Sequence, residues 1–453
     1  MMQKTLLITA AFSVVSACAS VSPPVSELTV MPSTYDFTDE SVQAAKNESL
    51  WWRSFGDTQL DALISEALAA NQNIAAGLAA VRASRASVQS ANASLYPTLS
   101  AGASASSNTD GGLDDVSGSA RTSTSYQLDL FGQNRASRAA AAASYDAQQF
   151  DQRALELTVE SDVAFNYFSI LAIRQRLDVA RSNLEISERI YDIVRLRYDA
   201  GAVSSFDISS QEAALANARA RIPQLEQQRY GFESALAILL GRTPQGYSAP
   251  QAEILALNPP SINPGLPSEL LLRRPDLLSA EAQLRASDAN VAAARAAFFP
   301  SIDLSAGLNA GLTGGASVIG SLASSLSAPI FSGGRLEGAL NSAEARVDQQ
   351  IARYRQSTLN ALRDVDVSLK SISTAAQREI QLQVAYDASQ KSLSLAEIRY
   401  RSGADDLTSL LNAQSTFFNA SDSLAQGRLD RLSAAVDLYV AIGGGWSRAA
   451  QDL

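Results

Sequence analysis

The sequence predicts a mainly α-helical chain with a membrane β-barrel, built from a helix–β-hairpin–long helix–return helix unit that occurs twice. Three observations carry this reading. Landmarks recur about two hundred residues apart, as in a duplicated unit. Two stretches nearly free of Gly and Pro have the length of very long helices. Two pairs of runs alternate apolar with small polar residues at the period of a strand.

The duplication is read from order and spacing. SLYPTLSAG with Pro97 recurs as AFFPSIDLSAG with Pro300, and DLFGQNR ending at Arg135 recurs as PIFSGGR ending at Arg335. LRYDAGAVSSFDI, with Arg197, Tyr198 and Gly201, recurs as IRYRSGADDLTSL, with Arg399, Tyr400 and Gly403. The repeat units are placed at 51–250 and 251–453, and the small drift in offset puts insertions in loops.

The N-terminus precedes both units. Lys4 is followed by an apolar run from Thr5 to Val15 that is too short to span a bilayer, and then by Ser16, Ala17 and Cys18. This is the pattern of a secretory signal with a cleavage site, expected over 1–17. VSAC is similar to the bacterial lipoprotein box, with Val15 where Leu is usual. Cys18 is therefore expected to carry lipid and to anchor the mature N-terminus at ~0.8 kcal/mol per buried methylene. By the rule for such lipoproteins, Ala19 in place of Asp favours the outer membrane. Residues 18–50, with Pro23, Pro24 and Pro32, are expected to form a lipidated extended leader.

Each unit opens with a helical segment, 57–93 and 268–297. In LISEALAANQNIAAGLAAV apolar residues recur every three or four positions. Tyr96-Pro97 and Phe299-Pro300 stop these helices, because the residue before proline disfavours the helical region. The period then becomes two. Ile302, Leu304, Ala306, Leu308 and Ala310 alternate with Ser301, Asp303, Ser305, Gly307 and Asn309, and the first unit alternates more weakly. Strands are expected at about 98–108, 117–131, 301–312 and 318–331, a length that crosses a membrane when tilted. Next come the long helices, 134–200 and 336–402, which at 1.5 Å per residue extend ~100 Å. Each ends at a Gly turn and folds back through a return helix reaching about Leu240 or Ile442. Pro223 and Gly427 mark a kink or interruption in the return helices.

Four strands cannot close, and an open edge in lipid leaves unpaired backbone groups costing several kcal/mol each. Closure needs several chains: two supply eight strands, three supply twelve. The long helices carry charges throughout, such as Arg174, Arg176, Asp178 and Glu185, and so lie outside the bilayer.

Composition narrows the chemistry. The chain of 453 residues has no His and a single Cys, which removes His-based acid–base work, Ser-His-Asp or Cys-His nucleophiles and His-ligated metal sites. Apolar residues at 46% against 18% charged exclude a disordered protein. A net charge of −10 without a long basic run argues against nucleic acid as a partner. The stretch from Gly311 to Gly320 lacks the lysine of a phosphate loop and reads as a turn between strands. No enzymatic activity and no cofactor are expected beyond the lipid on Cys18.

The opening WWRSFGDTQLDALISEALAANQNI, the middle LPSELLLRRPDLLSAEAQLRASDANVAAARAAFFPSI and the closing VDLYVAIGGGW resemble the TolC-type outer membrane efflux proteins. The closest match is to their OprM/NodT-like lipoprotein branch, and the resemblance spans Trp51 to Trp446. It implies a homotrimer with a twelve-stranded outer-membrane barrel joined to a twelve-helix periplasmic tunnel. It also implies a periplasmic adaptor and an inner-membrane pump, commonly of the resistance-nodulation-division (RND) class, as partners, and small compounds such as drugs or metals as cargo. The chain would sit in the outer membrane of a Gram-negative bacterium, against its lipid.

Site residues follow from the same resemblance. The two hairpin tips, 197–205 and 399–407, resemble adaptor-contacting ends, with Arg197, Tyr198, Gly201, Arg399, Tyr400 and Gly403 as candidates. Arg197 and Arg399 are placed to cap the carbonyls ending their own helices, and the glycines permit the turn. Where the family carries acidic positions at a closed periplasmic gate, this chain has Ser409 and Asn412. Asp405 and Asp406, one turn earlier, could supply a negative ring in their place, and mutual repulsion in a trimer would raise their pKa values. Asp207 is a weaker candidate, and Arg273 and Arg274 read as structural ion pairs. Two other readings stand beside the efflux conduit: an exit duct for type I protein secretion, and a periplasmic coiled-coil adaptor lipoprotein.

Overall fold

The computed structural model describes residues 32–35, 50–107, 116–311 and 317–445. Cys18, the signal and most of the leader lie outside the described residues, as do 108–115, 312–316 and Trp446. The elements run α1 (Thr58–Ala70), α2 (Gln72–Ala93), β1 (Thr98–Ser107), β2 (Val116–Leu128), α3 (Gln133–Asp199), α4 (Ser205–Leu239), α5 (Leu270–Arg273), α6 (Pro275–Ala296), β3 (Ser301–Gly311), β4 (Ser317–Ser327), α7 (Arg335–Arg401) and α8 (Leu407–Ala441).

The expected helix over 57–93 is divided. Asp57 caps α1 by accepting from the Gln59 and Leu60 amides, and Asn71 then turns extended, with ψ 127°. The Asn71 amide oxygen accepts from the Asn73 and Ile74 backbones and its nitrogen donates to the Leu239 carbonyl, so one buried side chain ends α1, starts α2 and ties both to α4. The segment over 268–297 is divided at the equivalent place. Arg274 precedes Pro275 and is extended, and the proline occupies the first position of α6, where its missing N–H costs nothing.

The duplication is visible in the backbone at these breaks. Gly241 (φ +68°) passes the Ala70 carbonyl, where a Cβ would stand 2.5 Å from the oxygen. Gly443 (φ +90°) passes Arg273 in the same way, with a Cβ 2.6 Å from its oxygen. Gly241→Ala is therefore expected to cost the left-handed backbone penalty of about 1–2 kcal/mol and a collision with main chain as well. Gly201→Ala, with φ +72° and open space around its Cβ, carries the backbone penalty alone. Thermal melts of the two variants check this, with Gly241→Ala the lower.

Helices α3 and α7 are each 67 residues long. Strand β2 ends at Leu128 rather than 131, because the Asp129 carboxylate accepts from the Asn134 and Arg135 amides and opens α3. Strand β4 ends at Ser327 rather than 331, two residues before Pro329. The return helices α4 and α8 show no interruption at Pro223 or Gly427. Gly427 serves packing instead, since a Cβ there would stand 2.6 Å from Leu382 on α7.

Packing divides the chain into two compact units that cut across the duplication. One holds Asn92–Ala140 with Leu284–Arg355, and so all four strands and the helix ends beside them. In it Phe131 stacks on Phe299 with centroids 4.8 Å apart, and Arg295 of α6 pairs with Glu344 of α7 at 2.9 Å. The other unit is helical, with a core of Trp51, Ile64, Tyr167, Phe168, Leu236 and Val436. Trp51 lies flat on Tyr439 and donates its indole N–H to Glu160 at 2.8 Å, and Arg153 completes that buried pair at 3.1 Å. Burial pushes the Glu160 carboxyl above the usual glutamate range, and Arg153 and Trp51 oppose the shift. No described helix is long and apolar enough to cross a membrane.

Candidate functional site

The strands form one antiparallel sheet in the order β1-β2-β3-β4, so among the described residues β1 and β4 each have one neighbour. Residues directly opposite one another share a face, and the register separates two chemistries. One face carries Leu99, Ala101 and Ala103 of β1, Ala120, Thr122 and Tyr126 of β2, Ile302, Leu304 and Leu308 of β3, and Val318, Leu322 and Leu326 of β4. It holds no charge among the described residues, and Leu308, Leu322 and Leu326 are exposed, Leu322 to 86%. The other face is hydroxylated. Thr98–Ser125, Ser100–Ser123, Ser104–Ser119 and Ser106–Ser117 pair through their hydroxyls at 2.8–3.0 Å. Tyr96, Leu130, Phe298, Phe299, Ile330 and Phe331 are exposed beside the strand ends that meet the helices. An apolar band with an aromatic margin over a polar face is the pattern of an outer-membrane strand sheet.

The helical unit presents the two hairpin tips. At each, paired backbone hydrogen bonds close the long helix into a left-handed glycine: Gly201 N–H to Tyr198 with Ala202 N–H to Arg197, and Gly403 N–H to Tyr400 with Ala404 N–H to Arg399. The arginines do not cap their own helices. Arg197 of α3 reaches across to the Tyr400 carbonyl ending α7, at 3.3 Å, and lies 4.7 Å over the Tyr400 ring. Arg399 pairs instead with Asp405 at 3.1 Å. Tyr400, expected with the exposed tip surface, is buried, whereas Tyr198 is exposed beside Leu196 and Phe206. Those two exposed apolar residues are tip surface that motif reading passed over.

The acidic tip residues have local duties. Asp406 is the N-cap of α8 and accepts from the Ser409 amide at 2.8 Å. That bond holds its carboxyl below the usual range. Asp207 forms a capping box with Ser204 at the start of α4. Asp405, Asp406 and Ser409 are thus gathered at the head of α8, and Asn412 stands one turn further on.

Asn412 lines an open polar groove of about 600 Å³ between α3, α4 and α8, with Asn183, Asn217 and Asn419. At its end Arg176 of α3 forms a two-pronged pair with Asp422 of α8, at 2.7 and 3.0 Å, and Arg221 of α4 adds a third contact at 3.5 Å. Gln414 of α8 donates to Ser187 and Asn183 of α3. Sequence reasoning did not single out these ties, because their partners lie more than two hundred residues apart. Arg273 pairs with Glu269, and Arg274 with Asp276 and Asp364. No group of metal-ligating side chains occurs among the described residues.

A membrane-type sheet and long helix hairpins in duplicate point to a family, and the family model for outer membrane efflux proteins matches residues 63–242 and 266–444. The chain belongs to the outer membrane efflux protein family. Among relatives, it is 35% identical to the pyoverdine export outer membrane protein OpmQ of Pseudomonas aeruginosa, over 100% of this chain and 99% of that one. It is 33% identical to the outer membrane protein OprJ of the same species, over 89% and 88%. The solved outer-membrane channel OprN has a TM-score of 0.83 at 28% identity, covering 95% of this chain and 99% of that one. The open-state MtrE outer membrane channel of Neisseria gonorrhoeae matches with a TM-score of 0.83 at 29% identity, over 95% and 98%. As a member of this family the chain is the outer-membrane channel component of a tripartite efflux system.

Proposed function

We propose that three copies of this chain close their four-stranded sheets into one twelve-stranded barrel, with the hydroxyl face inward on water and the apolar face outward on lipid. The observation that carries this reading is the sheet itself, which among the described residues has two unpaired edges, one chargeless apolar face and one serine-rich face. Unpaired edge groups cost several kcal/mol each in lipid, and pairing β1 of one copy with β4 of the next removes that cost.

The conduit performs no chemistry and uses no cofactor. Cys18 carries the lipid that anchors it, in keeping with a relative named as a probable outer membrane lipoprotein, SilC of Salmonella typhimurium, 30% identical over 98% of this chain. The tips around Tyr198 and Arg399 receive a periplasmic adaptor, and an inner-membrane pump of the RND class loads the cargo. That cargo is small molecules; relatives are named for pyoverdine, toluene and antibiotics. Asp405, Asp406, Ser409 and Asn412 border the periplasmic gate. A strain lacking the protein is expected to gain susceptibility to several compound classes, and photo-crosslinkers at Tyr198 and Phe206 to capture the adaptor. An unchanged susceptibility profile, with a monomer recovered from soluble periplasm, would overturn the reading.

A further inference from the structure

The membrane strands carry two charged residues among those described, Arg121 on β2 and Asp303 on β3, and both stand on the hydroxyl face. Their surroundings differ. Asp303 lies two residues from the start of β3, opposite Gln127 and Ser325, with the Ser301 hydroxyl at 3.4 Å. Arg121 lies in the body of the sheet, in a row formed by Gly102, Arg121, Asn309 and Ile319. It is exposed, and Gly102 opposite leaves open space where a side chain would stand. The next positions on this face, Ser100, Ser104, Ser119, Ser123, Gly307 and Gly311, are all uncharged.

Distance separates the two charges. Asn309, beside Arg121, is six residues along β3 from Asp303, a separation of about 20 Å at the rise of an antiparallel strand. That exceeds two Debye lengths at physiological ionic strength, ~8 Å each, so Asp303 does not neutralise the field at Arg121. A barrel of twelve strands spaced ~4.8 Å apart and tilted ~40° has a wall radius of about 12 Å. A guanidinium extended inward from such a wall stands within roughly one Debye length, ~8 Å, of the axis.

Resting on the trimeric conduit proposed above, we infer that Arg121 from three copies forms a ring of positive charge inside the barrel, which makes the membrane segment favour anionic solutes. The ring acts on whatever passes, by focusing a positive potential across the lumen, and its guanidiniums present forked donors to carboxylate, phosphate or sulfonate groups. The serine, glycine and asparagine wall around it offers hydrogen bonds without opposing charge.

The test uses the full-length trimer from outer membranes, reconstituted in planar bilayers under a potassium chloride gradient. The chloride-to-potassium permeability ratio is expected to fall several-fold in the order wild type, Arg121→Gln, Arg121→Glu. In Arg121→Cys, a cationic thiosulfonate restores the ratio and an anionic one lowers it further, a readout that a structural role would not move. Equal reversal potentials for wild type, Arg121→Gln and Arg121→Glu, in trimers that conduct, would overturn the inference and leave the conduit standing. Wild-type trimers that form no conducting channel would overturn the conduit and the ring together.

Discussion

Leu322→Arg is expected to abolish assembly in the outer membrane, and Ser305→Arg to leave it intact. Both positions lie near the middle of the strands, on opposite faces: Leu322 pairs with Ala306 on the apolar side, and Ser305 with Ser125 and Ala323 on the hydroxyl side. An arginine facing lipid at the midplane costs about 2–4 kcal/mol per strand site, and a trimer carries three, so about 6–12 kcal/mol opposes each assembled barrel. On the inner face the same side chain meets water, and the cost falls to that of crowding. Membrane fractionation with heat-resistant trimer on gels reads both variants. Equal recovery of the two would mean that neither face meets lipid.

Trp51→Ala is expected to be the most destabilising single change in the helical unit. The indole is 1% exposed, lies on Tyr439, meets Phe55 edge-on and donates to Glu160. Removing a buried tryptophan side chain costs about 3–5 kcal/mol, and the Glu160 carboxylate loses one of its two partners. Trp51→Phe separates the contributions, keeping a ring in place while deleting the donor, for a loss of about 1–3 kcal/mol. The pH dependence follows from the raised Glu160 pKa. The folded chain holds that proton more tightly than the unfolded chain, so the stability tied to it is complete below the ordinary glutamate pKa and is lost as pH rises through the folded value. Deleting the indole donor raises the folded value further, so Trp51→Phe loses more stability than wild type between that range and neutrality. Glu160→Gln removes the slope. Melting temperatures of the three proteins across that interval check the sign.

The long helices were legible because their signal is cumulative. Sixty-seven residues with almost no Gly or Pro, each stretch ending at Gly201 or Gly403, leave few alternatives. The sheet was legible for a different reason: alternation in β3 is strong enough to assign a face to every residue, and pairing then assigns faces to the weaker β1 and β2. What escaped sequence reading depends on single side chains acting across long separations. Asn71 ranks as an ordinary helix residue until its amide is seen restarting α2 and holding Leu239. Arg197 was expected at its own helix end and crosses to Tyr400, because the two tips lie side by side, which no local pattern reports. The tie from Arg176 to Asp422 spans 246 positions and depends on helix phase accumulated over many turns. Asp406 reads from the sequence as a member of a negative ring, yet its place immediately before Leu407 and three residues before Ser409 is the spacing of an N-cap.

The most direct measurement is a disulfide scan in outer membranes between single cysteines in β1 (Thr98–Ser107) and β4 (Ser317–Ser327), the two strands with free edges. Closure by three copies is expected to give covalent ladders that stop at the trimer, at pairs in antiparallel register. A β1–β4 bond formed within one chain, or ladders that stop at two or continue past three, would contradict it.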